Sequence, residues 1–244
     1  MTTPADHSIQ RSTDFEFEAL AVAKNYRSAL IREFSEFLHG DVVEVGAGIG
    51  QVTEELVRLS AVKRAVAVEP NKSFCALHRQ TYPRHHVIEG TARDLPRGEN
   101  FDAILSVNVL EHIQDDEGEL ARYHELLLDR VGHLCLFVPA RPEIYSPIDK
   151  DFGHFRRYTR ADLRQKLRKA GFKAVRLNYF NFVGYFAWWL NFCLLKKRVF
   201  ERAKVRLFDR LIFPLCHLME SRLLRPPIGQ SLLAIAQSTA TAQI

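Results

Sequence analysis

Short apolar runs alternate with amphipathic stretches through most of the chain. The runs predict strands at Val42–Val45, Ala65–Val68, His86–Ile88, Phe101–Val107 and His133–Val138. Helical spacing between them predicts helices at Val52–Leu59, Lys72–Gln80 and Gly118–Leu128. Such alternation builds parallel strands joined by crossover helices, with ligands bound at the strands' C-terminal ends. A helix from Arg160 to Ala170 follows, with Thr159 as its N-cap and Gly171 closing it. Two further strands are predicted, at Phe172–Asn178 and Ser231–Ala236, giving a doubly wound α/β sheet. Upstream, Leu20, Ala23, Leu30, Phe34 and Phe37 predict one or two helices between Phe15 and Leu38, with Gly40 as their C-terminal stop. Residues 1–14 read as a loose arm.

The pattern divides the chain into an N-terminal helical cap (1–40), an α/β core (41–178), a helical excursion (179–230), and a last strand with its tail (231–244). Within the excursion, Tyr179–Leu195 is uncharged and aromatic, but at 17 residues, with Asn181 and Asn191 inside it, it is short for a bilayer span. Beyond it, Phe200, Ala203, Leu207, Leu211, Leu215 and Leu218 recur at helical spacing, with Lys204, Arg206 and Arg210 off the stripe and Pro214 a predicted kink. The preferred reading packs that stripe against the core as a lid. The alternative lays a basic amphipathic helix on an anionic membrane.

Composition narrows this only slightly. With 47% hydrophobic and 26% charged residues, the chain reads as an ordinary globular protein. Cys75, Cys135, Cys193 and Cys216 are widely separated, which predicts neither a zinc site nor a disulfide framework and suits a reducing compartment. No apolar signal segment is visible near Met1, so the expected location is cytoplasmic, with a peripheral membrane contact as its variant. The net charge of +5 is uneven: residues 151–225 hold 18 Lys and Arg against 5 Asp and Glu. That excess suits an anionic acceptor, a membrane surface or nucleic acid, or simply a solvated helical surface.

The sharpest motif is the strand Val42–Val45 running into Gly46-Ala47-Gly48-Ile49-Gly50. Glycines there permit positive φ and let a ligand approach the backbone. The G-x-G-x-G spacing, with Glu44 two residues ahead, departs from the G-x-G-x-x-G of dinucleotide-binding turns. Glu44 offers negative charge to a cationic ligand. Glu69 ends the next strand, where an acid can accept both hydroxyls of a ribose.

Together these segments resemble the class I S-adenosylmethionine-dependent methyltransferases, in the broad group acting mainly on small molecules. E-V-G-A-G-I-G (Glu44–Gly50) resembles the family's first motif and V-E-P-N (Val68–Asn71) its second. E-G-T-A-R-D-L-P (Glu89–Pro96) and F-D-A-I-L-S-V-N-V-L-E-H-I (Phe101–Ile113) resemble the segments at the third and fourth strands. The resemblance spans roughly Asn25 to Gly171 and the last strand. It implies a mostly parallel, seven-stranded Rossmann-like sheet with an antiparallel last strand, and S-adenosylmethionine as cofactor. It further implies that Gly46, Ala47 and Gly48 border the methionyl moiety, that Glu69 holds the ribose, and that Pro70, Asn71, Thr91 and Ala92 surround the adenine. Asn108 and Val109 would line the methyl-transfer face. Thr91 stands where many relatives carry Asp, which shifts the contact to the adenine amine toward Asp94.

For the acceptor, His112 at the end of the fourth-strand motif is a candidate general base. The run Gly153-His154-Phe155-Arg156-Arg157-Tyr158-Thr159 supplies a second set: His154 and Tyr158 to orient or deprotonate, Arg156 and Arg157 to clamp an anion. Family members resembling this chain carry a similar H-x-R-R-Y-T run. Tyr26 would cover the site from the N-terminal helix. Asp115, Asp116 and Glu117 read as a helix N-terminal acidic cluster, and no metal site is predicted. The expected function is methyl transfer to a small-molecule or lipid-like acceptor, anionic in the reading that uses both arginines, at oxygen or nitrogen. A non-catalytic cofactor-binding scaffold or membrane-associated partner is the alternative from another class. A nicotinamide dehydrogenase fits the glycine spacing less well, and nucleic-acid methylation finds no recognisable module.

Overall fold

The computed structural model describes residues 22–96, 98–127, 131–198, 201–222 and 226–239. Seven strands form one sheet: β1 (Gly40–Val45), β2 (Val62–Glu69), β3 (His86–Glu89), β4 (Ala103–Val107), β5 (His133–Pro139), β6 (Phe172–Phe180) and β7 (Ser231–Ser238). Their order is β3-β2-β1-β4-β5-β7-β6, and β7 runs antiparallel to both of its neighbours. The strand order reverses between β1 and β4, so the crevice beyond their C-terminal ends is the natural ligand site.

The near-continuous apolar runs have a simple cause, because both faces of the sheet are buried. Val43 and Val45 of β1, Ile104 of β4, and Leu134 and Leu136 of β5 pack on one face with Leu120, Tyr123, Leu163 and Leu167. Val42, Leu105 and Phe137 alternate with them onto the other face, against Leu30, Phe34 and Leu38. The helices Asp116–Glu125 and Arg160–Lys169 cover the first face, and Lys24–Phe34 covers the second. Thr159 accepts the Asp162 amide at 3.1 Å as the expected N-cap.

Gly40 differs from expectation. The helix ends at Phe34, and Gly40 opens β1 at φ +66°, where a Cβ would collide with the Asp102 side chain. Close strand-start packing, not helix termination, therefore explains this glycine. Leu20 and the 1–14 arm lie outside the described residues.

The excursion forms two helical segments. Phe182–Trp188 continues through a wide turn at Trp189–Leu194, and Arg202–Leu207 continues through another at Phe208–Ile212 into Phe213–Arg222. The wide turns carry i→i+5 bonds, such as Leu195 N–H to Leu190 O at 2.9 Å. Two acids clamp these segments down by accepting backbone amides at helix starts. Asp209 accepts those of Asn25 (3.0 Å) and Tyr26 (2.8 Å), and Glu220 accepts those of Asn181 (3.0 Å) and Phe182 (2.7 Å).

The expected lid stripe is inverted. Leu207, Leu211, Leu215 and Leu218 are exposed, while Asp209 and Phe213 are buried and Phe208 packs against the core. Rings decide the facing: Phe213 lies 5.0 Å from Tyr26 and 5.9 Å from Phe180, centroid to centroid, and the wide turn brings Phe208 and Phe213 onto one side. Phe200 of that stripe falls outside the described residues.

Phe34 is fully buried between Lys24–Phe34 and the sheet. Phe34→Ala is expected to cost about 3–5 kcal/mol of stability, read as a lower denaturant midpoint in urea unfolding.

Candidate functional site

The strand β1 delivers Glu44 and the glycine turn to the crevice. Gly46 (φ +76°) and Ala47 donate their amides to Val68 O at the end of β2, at 2.8 and 3.0 Å. A Cβ on Gly46 would strike Val109, so this glycine lets the β1 turn sit directly against the segment after β4. Glu69, at the tip of β2, accepts the Gly48 amide on one oxygen and the Asn71 amide on the other, both at 2.8 Å. A carboxylate offers roughly four acceptor positions, so both oxygens keep capacity for hydroxyl donors. Burial pushes the Glu69 carboxyl above its ordinary range, against the pull of those amides.

Glu44 is almost wholly buried, with Thr53 Oγ1 donating to it at 2.5 Å. Burial pushes its carboxyl up to about 8, opposed by the Thr53 hydrogen bond. A cationic group beside it would relieve that penalty. Pro70 is exposed, and the Asn71 side chain caps the following helix, accepting the Ser73 and Phe74 amides at 2.9 and 3.2 Å. After β3, Thr91 donates through N and Oγ1 to Asp94 Oδ2, at 2.7 and 2.8 Å, in a capping box that buries Ala92. These bonds hold the exposed Asp94 carboxyl below its usual range.

Beyond β4, Asn108 adopts φ +53°, a region that Asn tolerates better than most residues, and its amide donates to Phe137 O at 2.8 Å. Asn108 also borders a cavity of about 410 Å³. Tyr26, Glu111, His154, Arg157, Trp188 and Phe208 contribute to its walls, so loop, core and excursion enclose it together. Tyr26 stands among Phe137, Phe180 and Phe213, and burial raises its hydroxyl pKa beyond the ordinary range.

The H-F-R-R-Y-T loop is stitched to the end of β5, with Tyr158 N–H donating to Pro139 O and Arg141 N–H to Tyr158 O, both at 2.9 Å. Its side chains divide differently from expectation. Tyr158 is fully buried, its hydroxyl donating to Asp116 Oδ2 at 3.0 Å and Leu110 O at 3.2 Å. Burial and the Asp116 charge raise its pKa far beyond a base's range, so it is a structural pin and not an acid–base group. Arg156 pairs with Asp116 at 2.7 Å and donates to Gln114 O at 2.8 Å. Arg157 is buried, donating to Asp149 Oδ1 at 2.8 Å and Ala140 O at 3.1 Å, with its guanidinium 4.4 Å over the Trp188 ring. Both arginines thus pair with acids of the chain, Arg156 with Asp116 at a partly exposed position and Arg157 with Asp149 on the cavity wall.

Asp149 is the residue the motif reading missed. It accepts from Arg157, from Ser146 N (2.8 Å) and Oγ (2.9 Å), and lies 3.1 Å from His154 Nδ1. Those donors hold its carboxyl below the usual range although burial works the other way. Ser146-x-x-Asp149 is a capping box visible in the sequence, yet nothing in it signals a neighbouring His. His154 is buried on the cavity wall, and a proton on Nδ1 shared with Asp149 makes Nε2 its basic nitrogen. His112 meets it edge-on at 4.6 Å, and burial, reinforced by His154, lowers its pKa to about 3. His112 is therefore neutral and a weak base at neutral pH. Although no metal is predicted from the sequence, ligand atoms of Glu111, His112 and His154 all lie within 4.8 Å of one another, close enough for one divalent cation to bridge.

A family model described as a methyltransferase domain matches residues 19–177. A ubiquinone biosynthesis O-methyltransferase of Ruegeria pomeroyi is 30% identical over 111 residues, 43% of this chain and 44% of that protein. The mitochondrial ubiquinone biosynthesis O-methyltransferase of Arabidopsis thaliana is 35% identical over 99 residues, 36% of this chain and 31% of that one. The matches span less than half the length of these curated relatives. Among solved structures, a SAM-dependent methyltransferase from Thermotoga maritima aligns over 96% of this chain and 99% of its own, with TM-score 0.63 and 18% identity. Another SAM-dependent methyltransferase, from Archaeoglobus fulgidus, aligns over 86% and 92%, with TM-score 0.57 and 16% identity. At such identities the likeness speaks for the fold, while the family model covers well over half of the sequence. The chain belongs to this methyltransferase-domain family and carries the fold of the class I S-adenosylmethionine-dependent methyltransferases.

Proposed function

We propose that this protein methylates a small, lipid-like acceptor, at oxygen or nitrogen, with S-adenosylmethionine as methyl donor. The observation that carries the reading is His154, oriented by Asp149 on the wall of a cavity that Asn108, Tyr26, Trp188, Phe192 and Phe208 also line. Glu69 receives the ribose hydroxyls, and Gly46, Ala47 and Gly48 border the methionyl moiety with Glu44 toward its ammonium. Pro70, Asn71, Thr91 and Ala92 flank the adenine, with exposed Asp94 supplying the acid that Thr91 lacks. Asn108 and Val109 line the side from which the acceptor approaches. S-adenosylmethionine, when bound, supplies a methyl group already activated on a sulfonium.

The protein's own work is then alignment and proton removal. Trp188, Phe192 and Phe208 enclose an apolar acceptor, and His154 Nε2 takes its proton while Asp149 steadies the imidazolium that forms. The relatives named for ubiquinone biosynthesis O-methylation favour oxygen over nitrogen, and their names also suit a lipid-like acceptor. With Arg156 and Arg157 committed to Asp116 and Asp149, apolar shape and not anion pairing selects the acceptor. Peripheral membrane contact through the excursion suits such an acceptor.

Calorimetric titration with S-adenosylhomocysteine is expected to show binding that Glu69→Ala weakens about a hundredfold, or about 2.7 kcal/mol. Absence of binding in the folded wild type would overturn the cofactor reading. Glu44 with a pKa of about 8 is mostly protonated at pH 6 and must lose that proton to face an ammonium. Affinity is therefore expected to rise from pH 6 to pH 7.5, by up to about tenfold per unit, and the slope should vanish in Glu44→Gln. A panel of hydroxylated aromatics and amines with apolar tails tests the acceptor. On any accepted compound, His154→Gln is expected to lower turnover by about 10²–10⁴-fold with S-adenosylhomocysteine affinity intact. Cofactor binding with no turnover on any of the panel would favour a scaffold.

A further inference from the structure

The excursion turns one apolar face inward and a second outward. In Phe182–Leu194, Gly184, Ala187, Trp188, Asn191 and Phe192 border the cavity, while Phe186, Trp189, Leu190 and Leu194 are exposed. In Arg202–Arg222, Val205, Phe208 and Asp209 face inward, Leu207 and Ile212 are exposed yet also border the cavity, and Leu211, Leu215, Leu218 and Met219 are exposed without bordering it. Leu211 and Leu215 are 62% and 63% accessible, and Trp189 is 46% accessible. Eleven of the sixteen exposed large apolar side chains among the described residues fall between Phe186 and Met219. Isolated apolar side chains need no explanation, but a concentration on two neighbouring helical segments does.

Charge identifies what would cover this face. Between Lys196 and Arg210 the exposed basic residues are Lys196, Lys197, Arg198, Arg202, Lys204, Arg206 and Arg210. Against them stand Glu201, paired with Lys204, and Asp209, buried at the amides of Asn25 and Tyr26. Exposed leucines and a tryptophan interspersed with lysines and arginines match the headgroup boundary of an anionic bilayer, where apolar side chains enter the acyl region and cations meet phosphates. A protein partner or second copy burying the leucines would also need acids to meet this many cations. Among the described residues no helix is long and apolar enough to cross a membrane, so contact would be in the plane of the interface.

We infer that the outward face formed by Phe186, Trp189, Leu190, Leu211 and Leu215, with the basic residues from Lys196 to Arg210, docks this protein on an anionic lipid surface. Exposed Lys197, Glu201 and Lys204 also border the cavity, so the cavity reaches the surface beside the docking face. A lipid-like acceptor would pass from the bilayer into the cavity without crossing water. That route rests on the proposed methyltransferase reading, whereas the docking itself does not.

Flotation of the full chain tests this with vesicles of phosphatidylcholine alone and of equimolar phosphatidylcholine and phosphatidylglycerol. The wild type is expected to float with the anionic vesicles and to stay behind with the zwitterionic ones. The Trp189 emission should shift to the blue on binding, a change absent from Trp189→Phe. Leu211→Glu with Leu215→Glu is expected to cut the bound fraction at least about tenfold. Arg206→Glu with Arg210→Glu should do likewise, and salt should weaken the wild type. Unchanged S-adenosylhomocysteine binding confirms that each variant is folded. Wild type that binds S-adenosylhomocysteine but ignores anionic vesicles would overturn the docking and leave the cofactor reading standing. The reverse pattern would sink the cofactor reading and keep the docking. Equal flotation of the leucine variant, or a dimer in sedimentation velocity that the leucine variant abolishes, would also overturn it.

Discussion

The carboxylate of Asp149 holds the loop after β5, the edge of the sheet and the excursion together. It is buried and would be costly alone, yet it accepts from Arg157, His154 and Ser146 at once. Arg157 extends the connection to Ala140 at the end of β5 and to the ring of Trp188 in the excursion. One charge thus couples the central sheet, the loop after it and the helical cover. Loss of that carboxylate would strand a guanidinium inside the protein as well as release His154.

The glycine turn after β1 is held by different contacts. Glycine at position 46 brings the first turn against Val109, and Glu69 ties that turn to the second strand through the Gly48 and Asn71 amides. The turn is therefore organised before any ligand arrives. Glu44 is the exception, since burial keeps it protonated until a cation comes near. Rigid backbone and a poised acid together favour a ligand bearing hydroxyls on one side and an ammonium on the other.

The cavity bordered by Asn108, Tyr26 and His154 has an outer wall of helical segments from the excursion that carry apolar side chains on two faces. Aromatic rings settle the inward face because Phe208 and Phe213 fill space beside Tyr26 and Phe180 that leucine would leave loose. The wide turns in both segments interrupt ordinary helical spacing at the points where this choice is made. The leucines are left outside, among the basic residues, and the shape of the wall and the character of the outer surface follow from the same packing decision.

Local patterns in the sequence determined the sheet, its helices and the turn after β1. Strand alternation, glycine spacing and acids at strand ends are properties of neighbouring residues, and the fold keeps their meaning. Glu44 and Glu69 could be placed at strand tips for that reason. Gly40 read locally as a helix stop, whereas its close approach is to Asp102, just ahead of β4. The run from His154 to Tyr158 was legible as a polar cluster, but its division of labour was not. Asp116 reaches it from a distant helix and Asp149 from the short helix just ahead of it; they pair with Arg156, Arg157 and Tyr158, while His154 and Arg157 border the cavity. Likewise, periodicity revealed an apolar stripe in the excursion but not which way it faced, since a helix apolar on two sides is oriented only by what it packs against. Tertiary structure decided partners and facing, because periodicity fixes neither which side of a helix packs inward nor which donors an acid meets, even where, as for Asp149 and His154, the partners are five residues apart.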